Sequence, residues 1–306
     1  MNNRTSDFDD RDSVLERALP GPFSSEVDVD VFGLSNRGRV RPENEDHFLV
    51  IRVGRNLETV CSNLIANRPG DRFEEIGYGM IVADGVGGEA AGEVASDEAI
   101  FGLLNLGLRT PDWQFRWGPK EKDTVKWRMQ DRFSQINSAL LEQAAAHAAL
   151  NGMSTTMTAA LSQGKDLIIG HIGDSRAYLF RDGKLKRLTR DHTLEESLPE
   201  KGPSSENDRL LAELSNVLMR ALGANEGECK PDIIDLVLEN GDKLLLCTDG
   251  LTDMVDDKTM EAILSRDTTA ATACRSLVDL GLSNGGRDNV TAIVAHYRIP
   301  LTNPAI

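Results

Sequence analysis

The chain has no apolar run approaching the roughly 20 residues of a membrane span, and no apolar signal core follows its polar first residues. Its four cysteines are scattered without a C-x-x-C spacing, which argues against a zinc site and a disulfide framework. Basic residues are few, with 34 Lys and Arg against 49 Asp and Glu, so the net charge is −15. Because binding a phosphate backbone needs a basic surface, these absences predict a cytoplasmic protein with neither a membrane nor a nucleic-acid partner.

The chain also lacks internal repeats and any low-complexity tract that would mark a linker between domains. Its 306 residues allow one large domain or two ordinary ones, and apolar residues, at 40 %, suffice for a sizeable core. We predict a flexible leader over residues 1–27, one domain over 28–300 and a short tail over 301–306. We expect the protein to be a monomer.

The pattern of apolar residues predicts mostly strands, with helices in two places. A loop or insertion is predicted at 54–76, a mobile flap at 191–217, and a hairpin from the runs at 232–238 and 243–247. Because hairpins dominate and regular βαβ alternation is absent, we expect an α+β fold of antiparallel sheets covered by helices. The predicted strands are 29–36, 48–53, 78–83, 155–161, 166–173, 176–181, 184–188, 232–238, 243–247 and 289–296, and the predicted helices are 91–108, 127–150, 258–264 and 268–282.

Two apolar runs, one at residues 81–83 and one at 244–247, are followed by an Asp-Gly pair, at Asp84 and at Asp249. A carboxylate at the end of a buried strand is costly to desolvate unless something positive meets it. The glycines let backbone, ligand and metal approach closely. The acidic residues that lie beside glycine, asparagine or a strand end in this way are Glu45, Asp46, Asp84, Asp174, Asp249 and Asp288.

Carboxylate oxygens suit hard cations, so this set predicts sites for Mg²⁺ or Mn²⁺ rather than zinc. Magnesium takes few carboxylates per ion, so five or six acidic residues are enough for two or three ions. Two such ions, about 3.5–4 Å apart, can activate a shared water and stabilise an in-line phosphoryl displacement. Arg41, five residues before Asp46, offers a guanidinium fork for phosphate oxygens.

Six motifs follow one another along the chain: residues 44–46 (NED), 84–88 (DGVGG), 152–156 (GMSTT), 173–176 (GDSR), 248–253 (TDGLTD) and 286–289 (GRDN). They occur in the order found in metal-dependent PP2C-type (PPM) protein serine/threonine phosphatases, and the chain resembles the bacterial branch over roughly residues 29–298. The resemblance implies a four-layer α-β-β-α sandwich, with two antiparallel β-sheets flanked by helix pairs. It also implies hydrolysis of phosphoserine and phosphothreonine in proteins by a water that bridges two metal ions, opposed by a Ser/Thr kinase.

The resemblance assigns roles to individual residues of the first two ion sites. Asp84 is similar to the carboxylate that bridges both ions, and the Gly85 carbonyl to a ligand of the second. Asp249 and Asp288 resemble ligands of the first ion.

The remaining roles concern the second ion, a third ion and the phosphate. Asp46, with Glu45 beside it, belongs to the second-ion side, and which of the pair reaches the metal directly is left open. Asp174 resembles the ligand of a third, weaker ion that it shares with Asp249, and Arg41 resembles the phosphate anchor.

One departure and several alternatives stand beside this interpretation. Eukaryotic members often carry a histidine where this chain has Val86, and valine cannot donate a proton to the leaving group. The aspartates could instead be ordinary turn or cap residues, since Asp-Gly is a common turn. The chain could also be a non-catalytic pseudophosphatase that binds a partner, or a phosphatase for one dedicated phosphoprotein such as an anti-sigma antagonist.

Overall fold

The computed structural model describes residues 24–61, 63, 72–87, 91–110, 117–197, 217–224 and 229–300. Residues 1–23 of the predicted leader, the tail at 301–306 and residues 198–216 of the predicted flap lie outside this part of the chain. Residues 24–26 form a 3₁₀ turn, and the Ser24 hydroxyl accepts a hydrogen bond of 2.9 Å from the Ile76 amide.

The described residues form eleven strands and six α-helices, most of them at or near the predicted positions. The strands are β1 Asp28–Asn36, β2 Asp46–Glu58, β3 Arg72–Val86, β4 Ser154–Thr155, β5 Met157–Gln163, β6 Asp166–Ile172, β7 Arg176–Arg181, β8 Lys184–Arg187, β9 Asp232–Val237, β10 Lys243–Cys247 and β11 Val290–Arg298. The helices are α1 Ala91–Leu108, α2 Pro119–Ala146, α3 Leu194–Ser197, α4 Asp249–Thr252, α5 Asp257–Leu264 and α6 Ala270–Ser283.

The strands form two sheets in which every pair is antiparallel. The first sheet has the order β1-β11-β10-β7-β8, and the second has the order β2-β3-β5-β6-β9 with β4 paired to β3. This arrangement confirms the predicted α+β class. Over the part of the chain that the structure describes, no helix is both long and apolar enough to cross a membrane.

Strand β3 shows why the sheets lie between two helix layers. Successive side chains of a strand point to opposite faces. Met80 and Val82 therefore enter the core between the two sheets, whereas Ile81 and Ala83 pack against the helix pair α1 and α2.

Strand β10 divides its side chains between two cores in the same way. Leu244 and Leu246 enter the core between the sheets, and Leu245 and Cys247 pack against α5 and α6. The order of layers is helix pair, sheet, sheet, helix pair, so the predicted four-layer α-β-β-α sandwich is confirmed.

The predicted loop at 54–76 is wrong over both of its ends. Strands β2 and β3 stay paired beyond the predicted strand ends, as far as Glu58 opposite Arg72. The residues of this extension alternate poorly in polarity because much of β2 from residue 54 onward is exposed, so no apolar pattern marks the strand.

The predicted hairpin of 232–238 with 243–247 is also wrong. Strand β9 pairs with β6 in the second sheet, whereas β10 pairs with β7 and β11 in the first. The turn between them crosses the sandwich and is held by Asp242, whose carboxylate accepts the Glu239 amide at 2.7 Å and two hydrogen bonds from Arg181. An Asn-Gly turn signal alone does not distinguish a hairpin from such a crossing.

Helix α2 begins eight residues before its predicted start, at Pro119. Proline is favoured at the first helical position because its fixed φ suits the helix and its missing amide is not needed there. The helix ends at Ala146, whose successor His147 is in an extended conformation.

Candidate metal centre

The ends of four elements bring distant acidic residues to one edge of the sandwich. Asp46 opens β2 directly opposite Asp84, which lies near the end of β3. In the other sheet, Asp249 begins α4 just after β10, and Asp288 lies two residues before β11, the neighbour of β10.

A buried hydrogen bond joins the two sheets at this edge. The Thr248 hydroxyl donates to Asp46 Oδ2 at 2.7 Å, and it accepts the Thr291 amide at 3.1 Å. Since Asp46 belongs to the second sheet and Thr248 follows β10 of the first, the bond brings Asp249 next to Asp46.

Burial and mutual repulsion raise the pKa values of the acids at this edge. Burial is the main cause that raises the pKa of Asp46 to about 7, and Asp249 and Asp288 add to it, against hydrogen bonds that lower it. Burial and neighbouring carboxylates likewise raise the pKa of Asp249 to about 6. The pKa of Asp84 lies well above its ordinary value because the group is buried and lies close to Asp249, Asp46 and other acids.

Two carboxylate oxygens of this group, Asp46 Oδ1 and Asp249 Oδ1, are buried and have no hydrogen-bond partner among the residues that the structure describes. A buried polar atom normally has one, so each of these oxygens requires a partner of another kind. Among the described residues, no three His, Cys, Asp or Glu side chains are arranged so that they could hold one metal ion by themselves. Magnesium retains several waters and needs few protein ligands, so an all-oxygen set with two unpaired oxygens fits Mg²⁺ or Mn²⁺.

Gly85 occupies a position that only glycine can take. A Cβ atom there would lie 2.0 Å from the Gly92 carbonyl oxygen and 2.9 Å from that of Glu45. The lack of a side chain lets β3, the first turn of α1 and the segment before β2 meet beside Asp84.

The backbone of Asp84 is fixed by two threonines from the motif at 152–156. The Thr155 hydroxyl donates to the Asp84 carbonyl at 2.8 Å, and the Asp84 amide donates to Thr156 Oγ1 at 3.0 Å. The Thr156 amide also donates to the Asp84 carbonyl, at 2.9 Å. The sequence identified this motif, but not what its threonines do.

Arg41 lies against Asp288 at the more exposed side of the edge. Arg41 Nη2 donates to Asp288 Oδ2 at 2.5 Å, and the side chains are 50 % and 32 % exposed. The Asp288 bond is the main cause that raises the pKa of Arg41, and Glu45 and Asp84 raise it further. Arg41 is thus close to three of the predicted ligands.

Asn289 ties the predicted second-ion residues to the first sheet. Its Oδ1 accepts the Glu45 amide at 2.8 Å, and its Nδ2 donates to the carbonyls of Arg37 and Glu43. The motif at 286–289 contains Asn289, but the sequence predicts a role only for Asp288. An amide side chain gives no sign in the sequence of which backbone groups it will bind.

Glu45 and Asp174 lie on two flanks of the centre. Glu45 is half-buried, and burial raises its pKa while Arg41 lowers it. Burial, followed by the charges of Asp249 and Asp191, raises the pKa of Asp174 to about 8. Asp174 and Asp249 line one polar pocket of about 240 Å³. The structure therefore brings every predicted site residue to this one edge.

Asp191 and His192 are adjacent in the chain and buried, and the charge of Asp191 acts on Asp174. Arg176 donates to both oxygens of Asp191, and Arg187 forms a second ion pair with it. The His192 amide donates to the Gly173 carbonyl at 2.8 Å, and the Gly173 amide donates to His192 Nδ1 at 3.1 Å. Both side chains are occupied in holding the turns around Asp174.

The chain is similar to proteins of known family. The family described as "Protein phosphatase 2C" matches residues 72–279. "Serine/threonine phosphatase stp" of Listeria monocytogenes is 32 % identical over 260 residues, which are 85 % of this chain and 92 % of that protein. "Serine/threonine protein phosphatase PstP" of Mycobacterium tuberculosis is 35 % identical over 261 residues, which are 85 % of this chain and 43 % of that protein.

A solved structure also resembles the chain. It is the crystal structure of the catalytic domain of the serine/threonine protein phosphatase PstP in complex with two manganese ions, and it is 32 % identical with a TM-score of 0.66. The similarity covers 89 % of this chain and 99 % of that one.

Proposed function

The chain belongs to the protein phosphatase 2C family and is a metal-dependent protein serine/threonine phosphatase, and from that premise we propose which of its residues hold the ions and the phosphate. Its cofactors are Mg²⁺ or Mn²⁺, and its substrates are proteins that carry phosphoserine or phosphothreonine. The residue assignment rests on two buried oxygens that lack a partner among the described residues. One belongs to Asp46, in the second sheet, and the other to Asp249, which follows β10 of the first.

In this proposal the ions are shared between the two sheets. Asp84 would contribute to holding both ions, Asp249 and Asp288 would hold the first, and Asp46 and the Gly85 carbonyl would hold the second. The support is the placement of these groups at one edge, the burial that demands a positive partner, and the room that Gly85 leaves for close approach.

Three further residues complete the site. Between Glu45 and Asp46, we assign direct ligation to Asp46, because it is buried and its Oδ1 has no hydrogen-bond partner among the described residues. Glu45 then acts through a water molecule. Asp174 shares a third, weaker site with Asp249 across their common pocket. Arg41 binds the phosphate of the substrate with its guanidinium fork.

When bound, the ions supply Lewis acidity that activates a water and offsets the charge of the phosphoryl oxygens. The protein's own residues do the positioning. Arg41 orients the phosphoryl group. Thr155 and Thr156 hold the backbone of Asp84, and Thr248 holds the carboxylate of Asp46, before substrate arrives. Val86, which is 41 % exposed at the end of β3, has no proton to give to the leaving serine or threonine.

The test is hydrolysis of p-nitrophenyl phosphate and of a phosphothreonine peptide with added Mn²⁺. We expect Asp84→Asn to lower kcat by at least about a hundredfold, because the change removes charge from both ions at once. EDTA should abolish the wild-type activity, and Mn²⁺ should restore it.

The same experiment separates the alternatives. Undiminished turnover in Asp84→Asn or in EDTA would contradict the assignment of the site. A wild-type protein that binds no Mn²⁺ below millimolar concentrations in isothermal titration would instead be a non-catalytic binding module. The comparisons do not favour that alternative, nor a phosphatase restricted to one anti-sigma antagonist, since the relatives are named as serine/threonine phosphatases.

We also propose a setting for the enzyme. A Ser/Thr kinase phosphorylates the proteins that this enzyme dephosphorylates, and the enzyme acts as a cytoplasmic monomer formed by one domain over residues 28–300. The acidic net charge of −15 and the continuous two-sheet core are consistent with this setting. Light scattering coupled to size-exclusion chromatography tests the monomer directly.

A further inference from the structure

Ser96 of helix α1 is completely buried, and its hydroxyl bonds outside its own helix. Its Oγ lies 2.6 Å from the Glu45 carbonyl oxygen, closer than to the helix carbonyls of Gly92 at 3.2 Å and Glu93 at 3.1 Å. A hydroxyl has one proton, so the shortest contact indicates donation to Glu45. The Ser96 oxygen then accepts from His47 Nδ1, which lies 2.8 Å away.

The Glu45 carbonyl receives a second donor from strand β3. The Gly85 amide donates to it at 3.1 Å. One backbone oxygen therefore connects helix α1, the residue whose carbonyl is assigned to the second ion, and the segment that carries Glu45 and Asp46.

The same place is packed too tightly for these parts to move separately. A Cβ atom on Gly85 would lie 2.0 Å from the Gly92 carbonyl oxygen. A Cβ atom on Gly92 would lie 2.8 Å from Glu45 Oε1 and 2.9 Å from the Gly85 carbonyl oxygen. We call these four residues, Glu45, Gly85, Gly92 and Ser96, the Ser96 junction.

We infer that Ser96 is a positioning residue for the second metal ion. By holding the Glu45 carbonyl, its hydroxyl sets the position of the Gly85 carbonyl and of the Asp46 carboxylate relative to each other. Ser96 touches neither the ion nor the substrate, and α1 thereby becomes part of the support of the metal centre. The inference rests on the proposed function, because it assumes the second ion assigned above.

The experiment is a Mn²⁺ titration of the full chain that carries Ser96→Ala. Binding is measured by isothermal titration calorimetry, and activity is measured by hydrolysis of p-nitrophenyl phosphate. Loss of a residue that supports metal ligands typically weakens binding about tenfold or more. We expect one of the two Mn²⁺ affinities to fall about tenfold and the other to change less than twofold. The Mn²⁺ concentration for half-maximal activity should rise by the same factor, with KM unchanged at saturating Mn²⁺.

Two further variants keep the test sharp. Ser138→Ala is the matched control, because the Ser138 hydroxyl on α2 is exposed and donates to the Ser134 carbonyl of its own helix at 3.1 Å. Its Mn²⁺ affinities should equal those of the wild type. Gly92→Ala would displace Glu45 and Gly85 of the same junction, and it should weaken the binding of the same ion as Ser96→Ala does.

The results that overturn the inference differ from those that overturn the function. Unchanged Mn²⁺ affinities in Ser96→Ala, or an equal loss at both ions together with a lower metal-free melting temperature, would reduce Ser96 to ordinary core packing. A wild-type protein without Mn²⁺-dependent hydrolysis would overturn the proposed function itself.

Discussion

Buried aspartates occur in two different settings in this molecule. At the crossing between β9 and β10, Asp242 is 1 % exposed and meets Arg181 through two hydrogen bonds of 2.8 and 2.6 Å. At the other end of β10, Asp46 is 3 % exposed and receives a side-chain hydrogen bond from Thr248, while its second oxygen has no partner within the described part of the chain.

The difference separates a structural carboxylate from one that awaits a cation. Both groups bear the desolvation cost of burial, but a basic side chain offsets that cost for Asp242. Around Asp46, the charges that affect its pKa are the carboxylates of Asp249 and Asp288. A fold that places like charges together in this way is destabilised there unless ions bind from outside.

Exchanging each aspartate for asparagine tests this comparison most strongly. We expect Asp46→Asn to lower kcat at least about a hundredfold while leaving the metal-free protein as stable as the wild type or more so at pH 7.5. Asp242→Asn should do the opposite, with normal turnover and a free energy of unfolding lower by about 2–3 kcal/mol, because Arg181 loses its buried partner. Urea denaturation in EDTA and steady-state kinetics in Mn²⁺ measure the two effects.

The two variants check each other. If Asp46→Asn destabilised the metal-free protein as much as Asp242→Asn does, Asp46 would be an ordinary structural carboxylate. If Asp242→Asn reduced kcat as much as Asp46→Asn does, the loss would reflect general damage to the fold.

The pH dependence of stability gives a second, smaller contrast. The folded pKa of Asp46 is about 7, above its ordinary value, so the folded state holds a proton between about pH 4 and 7 that the unfolded state has released. The contribution of Asp46 to the free energy of unfolding therefore falls as the pH rises from about 4 to 7, and it is lost above 7. The asparagine side chain does not titrate. The free energy of unfolding of Asp46→Asn, relative to that of the wild type, should therefore rise by about 2–4 kcal/mol from pH 5 to pH 8 in EDTA.

The difference between the two proteins is the quantity to measure. Burial lowers the pKa of His171 to about 3, so this histidine destabilises the folded state below its ordinary pKa and opposes the trend from Asp46 in both proteins. Subtracting the wild-type curve from that of Asp46→Asn removes it. A constant difference from pH 5 to pH 8 would mean that the Asp46 carboxylate titrates as an ordinary exposed one.

The aspartates of the metal centre are easier to predict from the sequence than the contacts that surround them. Asp84 and Asp249 could be recognised because an apolar strand ending on Asp-Gly is a local pattern. The direct pairing of Asp46 with Asp84 could not. The register of β2 and β3 depends on how far they pair at their other end, over residues 54–58 and 72–76, and the sequence there predicts a loop. The contacts made by Thr248 and Ser96 depend on chain segments about 50 to 200 residues away, and a hydroxyl in the sequence does not reveal its partner.

The smallest effect concerns Arg41 and Asp288, an acid–base pair at the site that is neither buried nor without a cation. Their ion pair is half-exposed, so it should contribute less than about 1 kcal/mol to stability. We expect Arg41→Ala to reduce kcat/KM about tenfold, chiefly through KM, because the phosphate loses a two-pronged donor. Arg41→Lys should recover only part of the loss, since an ammonium lacks the planar fork.

Manganese affinity then distinguishes two roles for Arg41: binding the phosphate, or holding the Asp288 carboxylate in position. In the structure Arg41 competes with any cation for Asp288 Oδ2, so removing it should leave Mn²⁺ binding unchanged or stronger. Arg298→Ala is the matched control, because Arg298 forms a similar exposed pair with Asp28, at 2.7 Å, on strands away from the centre, and its loss should alter neither KM nor Mn²⁺ binding. Weaker Mn²⁺ binding in Arg41→Ala with KM unchanged would show instead that the arginine serves the ligand and not the substrate.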